Sequence, residues 1–174
     1  MKTLKLGGAT VNQIPLDWKN NKANILACIA QAKKEGVELL CLPELCITGY
    51  GCEDLFLSEW LPARAMEILL EIAPKCDGLA VALGLPVRHQ NKVYNCTSYI
   101  VDGQIASFRQ NLVIESSKKF NVAYLYCNLL GNEAGRMVYD GDVILAQHGE
   151  LLSYGQRLSF VSWKLHTCEV NFSN

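Results

Sequence analysis

VELLCLPELCITGYG, residues 37–51, places a carboxylate where an apolar run stops. Val37 to Leu42 is short, apolar and flanked by polar residues, which reads as a buried β-strand. Pro43 ends it, because proline brings no N–H to a ladder. Glu44 therefore stands at the carboxyl end of the strand. Upstream, Gly36 closes a run in which Ala23, Ile25, Leu26, Ile29 and Ala32 recur at helical spacing through Lys34. Asp17 is placed to cap that helix. Before it, Leu4 to Asn12 has the small and apolar residues of a first strand, and Ile14-Pro15-Leu16 is a break. Strand, helix, strand at this spacing is a βαβ unit with parallel neighbours.

Downstream, Ser58 is placed to cap a second helix that runs to about Ala73 and stops at Pro74. Its apolar stripe is Leu61, Ala65, Ile68, Leu69 and Ile72. Gly78 to Val87 is almost wholly apolar, as a central strand is. Val93 to Val101 and Gln104 to Phe108 flank Asp102-Gly103, a dipeptide suited to the type I′ turn of a tight hairpin. A helix is predicted over 111–120 and a buried strand over 122–130. Residues 131–135 read as a loop. Short strands follow near 137–139, 142–147, 150–154 and 161–171, with turns at Asp140-Gly141 and His148-Gly149. Alternating strands and helices make the chain α/β, or layered α+β, with helices covering sheet faces.

The chain has 174 residues, half of them hydrophobic, which suits one domain with a sizeable core. Its formal net charge is −1 and its Lys and Arg residues are scattered, so neither nucleic acid nor an anionic membrane is a natural partner. The first six residues are too short and too interrupted for a signal peptide, and no apolar run nears the ~20 residues of a membrane helix. The cytoplasm is the expected location. Eight cysteines form no C-x-x-C pair and no His sits beside one at ligand spacing. They read as reduced, buried thiols rather than a metal site. Asn95-Cys96-Thr97 and Asn171-Phe172-Ser173 match the glycosylation sequon, and without a secretory signal they read as chance matches.

Ligands of open α/β sheets gather at strand carboxyl ends, which is where Glu44 lies. Partial desolvation among Leu42, Pro43, Leu45 and Ile47 suits a carboxylate to general-base work. Gly49 and Gly51 permit tight turns, and Tyr50 between them is placed to project its ring and hydroxyl into a pocket. The structural alternative is that Glu44 caps the turn near Glu53-Asp54 or pairs with a lysine.

Leu-Pro-Glu-Leu-Cys-Ile-Thr-Gly-Tyr, 42–50, resembles the first catalytic motif of the nitrilase, or carbon–nitrogen hydrolase, superfamily. Its continuation Gly51-Cys52-Glu53-Asp54-Leu55-Phe56 is similar to the glutaminase domains of glutamine-dependent NAD synthetases. Ala9-Thr10-Val11-Asn12-Gln13, Gly84-Leu85-Pro86-Val87, Val93-Tyr94-Asn95-Cys96 and the stretch from Asn128 to Arg136, then Tyr139-Asp140-Gly141, agree in the same order. The resemblance implies a four-layer αββα sandwich and a Glu, Lys, Cys triad. In that triad the Cys attacks the side-chain amide of glutamine, the Glu is the base, and the Lys stabilises the oxyanion. Glu44 corresponds to the base and Tyr50 to a tyrosine of the glutamine pocket. The resemblance implies no cofactor in this domain. ATP and magnesium belong to a separate synthetase domain, which uses the released ammonia to amidate deamido-NAD. It also implies a homo-oligomer.

The other two triad motifs have no counterpart. The hairpin ending near Ile105 runs directly into Ala106-Ser107-Phe108-Arg109-Gln110-Asn111, which resembles the family's sequence well after the nucleophile. The chain thus reads as one nitrilase-like domain over 1–174, with an internal deletion near 105–110 and an incomplete sandwich. Lys118 and Lys119 read as solvated lysines near a helix end. Cys127 reads as a core residue. Cys46, two residues beyond Glu44, would share its face if the strand continued, but lacks a cation to activate it. His89, His148 and His166 have no partner motif, and Arg109 and Ser107 align weakly. Three readings follow from these residues: an inactive descendant of a glutamine-hydrolysing enzyme, a non-catalytic nitrilase-fold scaffold that associates with itself, or another nitrilase-type amidase, which the Gly49-to-Asp54 stretch disfavours.

Overall fold

In β1 (Thr3–Val11) the side chains alternate between two buried environments, so this strand lies inside the molecule and not at its edge. The computed structural model describes residues 3–110, 124–133, 137–141, 143–147, 150–156 and 158–171. Helix α1 (Trp18–Lys34) follows β1, and the Asp17 carboxylate accepts the Asn20 N–H at 3.2 Å, as the capping rule requires. Strand β2 (Leu39–Cys41) then pairs in parallel with β1 and with β3 (Ala80–His89). A 3-10 turn (Glu53–Leu57) and α2 (Trp60–Ile72) cross between β2 and β3. The Ser58 hydroxyl does accept the Leu61 N–H, at 3.4 Å.

Strands β3, β4 (Lys92–Val101) and β5 (Gln104–Gln110) form an antiparallel meander. Asp102 and Gly103 both take positive φ, as the type I′ turn demands. Gln90 and Asn91 do the same at the β3–β4 turn, which composition did not flag. Strand β11 (Trp163–Asn171) returns antiparallel to β1, giving a six-stranded sheet in the order β11-β1-β2-β3-β4-β5. A second, three-stranded sheet runs β10 (Glu150–Tyr154), β9 (Val143–Gln147), β6 (Tyr124–Cys127). Strands β7 (Leu130–Glu133) and β8 (Met137–Asp140) pair with each other.

The central sheet has two faces. Leu40, Val81, Leu83 and Leu85 face the helices and join Ile25, Ile29, Ala65, Ile68 and Leu69 in the main core. On the other face, Leu6, Leu39, Val170 and Cys168 meet Leu125 and Leu145 of the second sheet. The two sheets come together closely at Gly8, where an added Cβ would run into Val143. Helix, sheet, sheet is three layers of the expected sandwich. The helix predicted over 111–120, with Lys118 and Lys119, lies outside the described residues. No helix among the described residues is long and apolar enough to cross a membrane.

Three sequence expectations change. Strand β2 is shorter than predicted, because Val37 N–H bonds back to Ala32 of the helix C-terminus. The strand predicted over 122–130 splits, since Asn128 and Leu129 belong to neither β6 nor β7. Residues 131–133, read as loop, are strand. Gly-Asn-Glu has no β pattern of its own and takes extended structure from pairing with Met137–Val138–Tyr139.

All eight cysteines are free. Burial pushes the thiols of Cys28 and Cys46 up to about 12, and that of Cys76 to about 11, from an ordinary 9.0. The unfolded chain therefore loses these protons first. Their contribution to stability is constant below pH 9 and falls as pH rises beyond it, by up to ~1.4 kcal/mol per pH unit for each thiol. Urea unfolding in reductant is expected to show a midpoint at pH 10.5 clearly below that at pH 8. Equal midpoints would mean these sulfurs are not buried as described.

A candidate active site at the end of strand β2

The chain leaves β2 through Leu42, whose N–H still bonds to Ala82 O at 2.8 Å. Pro43 then has no N–H to offer, but its carbonyl accepts the Gly84 N–H at 3.2 Å. The backbone folds over β3 at this point. Gly84 lies directly beneath it: an added Cβ would overlap the Leu45 nitrogen and stand 2.6 Å from Glu44 Cα. Leu45 takes φ +49, the left-handed region that β-carbon sterics disfavour, and Gly49 takes φ +79. Gly51 needs no such conformation. The Leu45 carbonyl collects the N–H groups of Thr48 and Gly49 at 3.1 and 2.9 Å.

Two buried amides clamp this turn from outside it. Gln13 Nε2 donates to Cys46 O at 2.5 Å and to Asn21 O at 3.1 Å. Asn21 Nδ2 donates to Ile47 O at 3.3 Å and to Ile14 O at 2.8 Å, while its Oδ1 accepts the Ile14 N–H at 3.0 Å. The loop after β1, the start of α1 and the turn after β2 are thereby locked together.

The result is a half-buried Glu44 whose two carboxylate oxygens are each addressed by a neutral donor. Tyr50 Oη donates to Oε2, and Asn95 Nδ2 donates to Oε1. Among the described residues, neither the Glu53-Asp54 turn nor a lysine engages this carboxylate. A carboxylate has about four acceptor positions, so two hydrogen bonds fix its plane and still leave lone pairs for a proton. Asn95 reaches it from β4, where it sits opposite Pro86 on the face shared with Gly84. A cavity of about 270 Å³ opens alongside, lined by Leu45, Phe56, Leu57, Pro86, Val93 and Asn95. Its walls are mostly apolar, with the Asn95 amide as the polar group.

Tyr50 and Glu44, paired from sequence, are together. Asn95, Gln13, Asn21 and Gly84 were not singled out as site residues. The only sequence signal for Asn95, Gln13 and Gly84 was their place inside the resembling segments, and Asn21 had none. Cys46 is corrected. It lies in the turn and not on a strand, so the period-2 argument fails. Its thiol is fully buried and donates to Gly84 O at 3.6 Å, away from the carboxylate. Cys127 is a core residue, 8% exposed. His89 ends β3 and His166 lies on β11 opposite Gly8. The side chains of Ser107 and Arg109, and His148, lie outside the described residues. Strand β5 covers 105–110 and pairs with β4, with a shift of register between Tyr99–Ser107 and Ile100–Ile105 that leaves Ala106 unpaired in the ladder.

The profile of the carbon-nitrogen hydrolase family matches residues 8–121. The glutamine-dependent NAD(+) synthetase of Drosophila melanogaster is 29% identical over 163 residues, covering 84% of this chain and 21% of the fly protein. The crystal structure of a glutamine-dependent NAD(+) synthetase from Cytophaga hutchinsonii superposes with a TM-score of 0.90 at 34% identity, over 97% of this chain and 43% of that one. The NitN amidase from Neterenkonia sp. AN1 shares the fold, with a TM-score of 0.76 at 17% identity, over 98% of this chain and 93% of the amidase. The chain thus spans about a fifth of the fly relative and under half of the bacterial one.

Proposed function

The chain belongs to the carbon-nitrogen hydrolase family, and on that premise we propose that it derives from a glutaminase that supplies ammonia for ATP-dependent NAD synthesis. Glu44 is the general base of that chemistry and Tyr50 a wall of the glutamine pocket. The observation that carries this reading is the Glu44 carboxylate held between the Tyr50 hydroxyl and the Asn95 amide beside an apolar cavity. Similarity to NAD synthetases supports glutamine as the substrate. An acyl-enzyme also needs a thiolate and a cation near that carboxylate. The sequence has no motif for either, which supports an internal deletion near 105–110 within one domain over 1–174. The chain alone is then inactive, and its partners are a synthetase domain using ATP and magnesium and further copies of itself, in the cytoplasm.

Incubated with glutamine, the purified chain is expected to release no ammonia above the buffer rate. A glutamine-analogue electrophile is expected to label none of its eight thiols. Protein from a reading frame that restores Lys- and Cys-bearing motifs at 105–110 is expected to release ammonia. There Glu44→Gln should lower kcat at least ~10²-fold, the ordinary contribution of a positioned base. An unchanged rate in Glu44→Gln would remove the carboxylate from the mechanism.

A second reading has its own support. Strand β10 is an edge of the second sheet, and Leu152, Tyr154, Leu158, Phe160 and Val161 are exposed along and beyond it. Such an apolar edge favours a self-associating scaffold. A monomer at high concentration by light scattering would count against it.

A further inference from the structure

Cys41 is the last residue of β2 and Cys127 the last of β6, so the two end neighbouring strands of different sheets. Along β2, Cys41 shares with Leu39 the face that meets the second sheet. Cys127 Sγ stands 3.3 Å from the Cys41 carbonyl oxygen, so the sulfur of β6 lies against the residue that ends β2. Gly8 is the register partner of Cys41, and a Cβ there would stand 3.0 Å from Cys127 Sγ. The glycine leaves the space through which one sheet's sulfur reaches the other's.

We propose that Cys41 and Cys127 are a peroxide-sensitive dithiol that closes to a disulfide between the two sheets, three residues before Glu44.

The two sulfurs are not equivalent. The hydrogen bond from Cys127 holds the Cys41 thiol below its ordinary range, while burial holds Cys127 well above it. Cys41 is half-buried and Cys127 is buried. The attacking sulfur is therefore Cys41, because the thiolate is the nucleophile. Its lone pair takes one oxygen of hydrogen peroxide, breaking the O–O bond and expelling hydroxide, which leaves a sulfenic acid on Cys41. The Cys127 sulfur then attacks that sulfenyl sulfur. The S–O bond breaks, and water leaves with the Cys127 proton. Overall, two thiols and one peroxide give one disulfide and two waters. Cys28 and Cys46 are fully buried with thiols pushed to about 12, so they do not compete.

The test treats the whole chain with dilute hydrogen peroxide, then maps non-reduced peptides by mass spectrometry. One linked pair is expected, carrying Cys41 and Cys127. Thiols titrated in denaturant should fall from eight to six, and dithiothreitol should restore them. The oxidised chain should melt at a higher temperature, because 86 residues of separation become a closed loop. Cys127→Ser should stop at a sulfenic acid on Cys41 that dimedone traps, and Cys28→Ser should leave the bridge intact. A first linkage between any other cysteines, or eight thiols after peroxide, overturns the proposal. The wild-type map decides the matter even where a variant does not fold.

Discussion

Gly84→Ala is expected to lower folding stability by ~3 kcal/mol or more, although it adds a single methyl group to a strand. The position is extended, so alanine costs nothing in backbone angle and even stiffens the unfolded chain, a gain of about 0.4–1 kcal/mol. The opposing effect is larger. The new carbon would overlap the Leu45 nitrogen and lie 2.6 and 2.8 Å from the Cα and carbonyl carbon of Glu44. Those are backbone atoms, and no rotamer change moves them aside. The turn is also pinned by the Gly84 N–H to Pro43 O and by Ile47 N–H to Gly84 O. It must lift as a unit, drawing Glu44 away from Asn95. Urea unfolding of the variant checks the stability, and the Glu44 side-chain chemical shift checks the displacement. A loss under ~1 kcal/mol with an unmoved resonance would show that the turn does not rest on β3 as described.

Asn21→Leu is expected to cost ~3 kcal/mol. Leucine branches at Cγ as asparagine does, with the same number of heavy atoms, so no cavity forms, and the site is 1% exposed. What changes is hydrogen bonding. Ile14 loses the partner of its N–H and one of two at its carbonyl, which keeps the Asp17 N–H at 3.1 Å, and Ile47 loses one for its carbonyl. The buried Ile47 carbonyl and the part-buried Ile14 N–H each cost ~1–3 kcal/mol when orphaned, and burial of the leucine side chain offsets part of the sum. The exposed cap bond of Asn20 makes a useful contrast. Asn20→Ala keeps the Asp17 bond to the Asn20 backbone and should cost under ~1 kcal/mol. Thermal denaturation of the two variants side by side measures the difference. Equal losses would mean that the buried amide is no more important than the surface one.

Local chemistry made much of this molecule legible. The βαβ unit followed from apolar spacing in β1, α1 and β2. The Asp102-Gly103 turn followed from the demand for two positive φ angles. The break at Pro43 followed from a missing N–H, and it put Glu44 at a strand end without any coordinates. Apart from Tyr50, the residues that hold Glu44 and its turn in place, Asn95, Gly84, Gln13 and Asn21, were not legible in the same way. Asn95 lies 51 residues from its carboxylate and Gly84 lies 40 from the turn it supports. Their neighbourhoods carry the family resemblance but say nothing of this role, which comes from the Pro86–Asn95 register and from β2 lying beside β3. Cys46 failed for the related reason that a period-2 argument assumes a strand, and the chain had already turned.

The sequence alone determined which segments could be strands and helices, where the carboxylate would emerge, and which family the motif resembles. These depend on residue spacing, proline and glycine sterics, and a contiguous stretch from 37 to 56. Tertiary structure alone decided that β1 is interior, that Glu44 answers to Tyr50 and Asn95, and that Cys41 meets Cys127 between sheets. Such contacts join residues far apart in the chain. They exist only once parallel and antiparallel registers have brought the strands side by side.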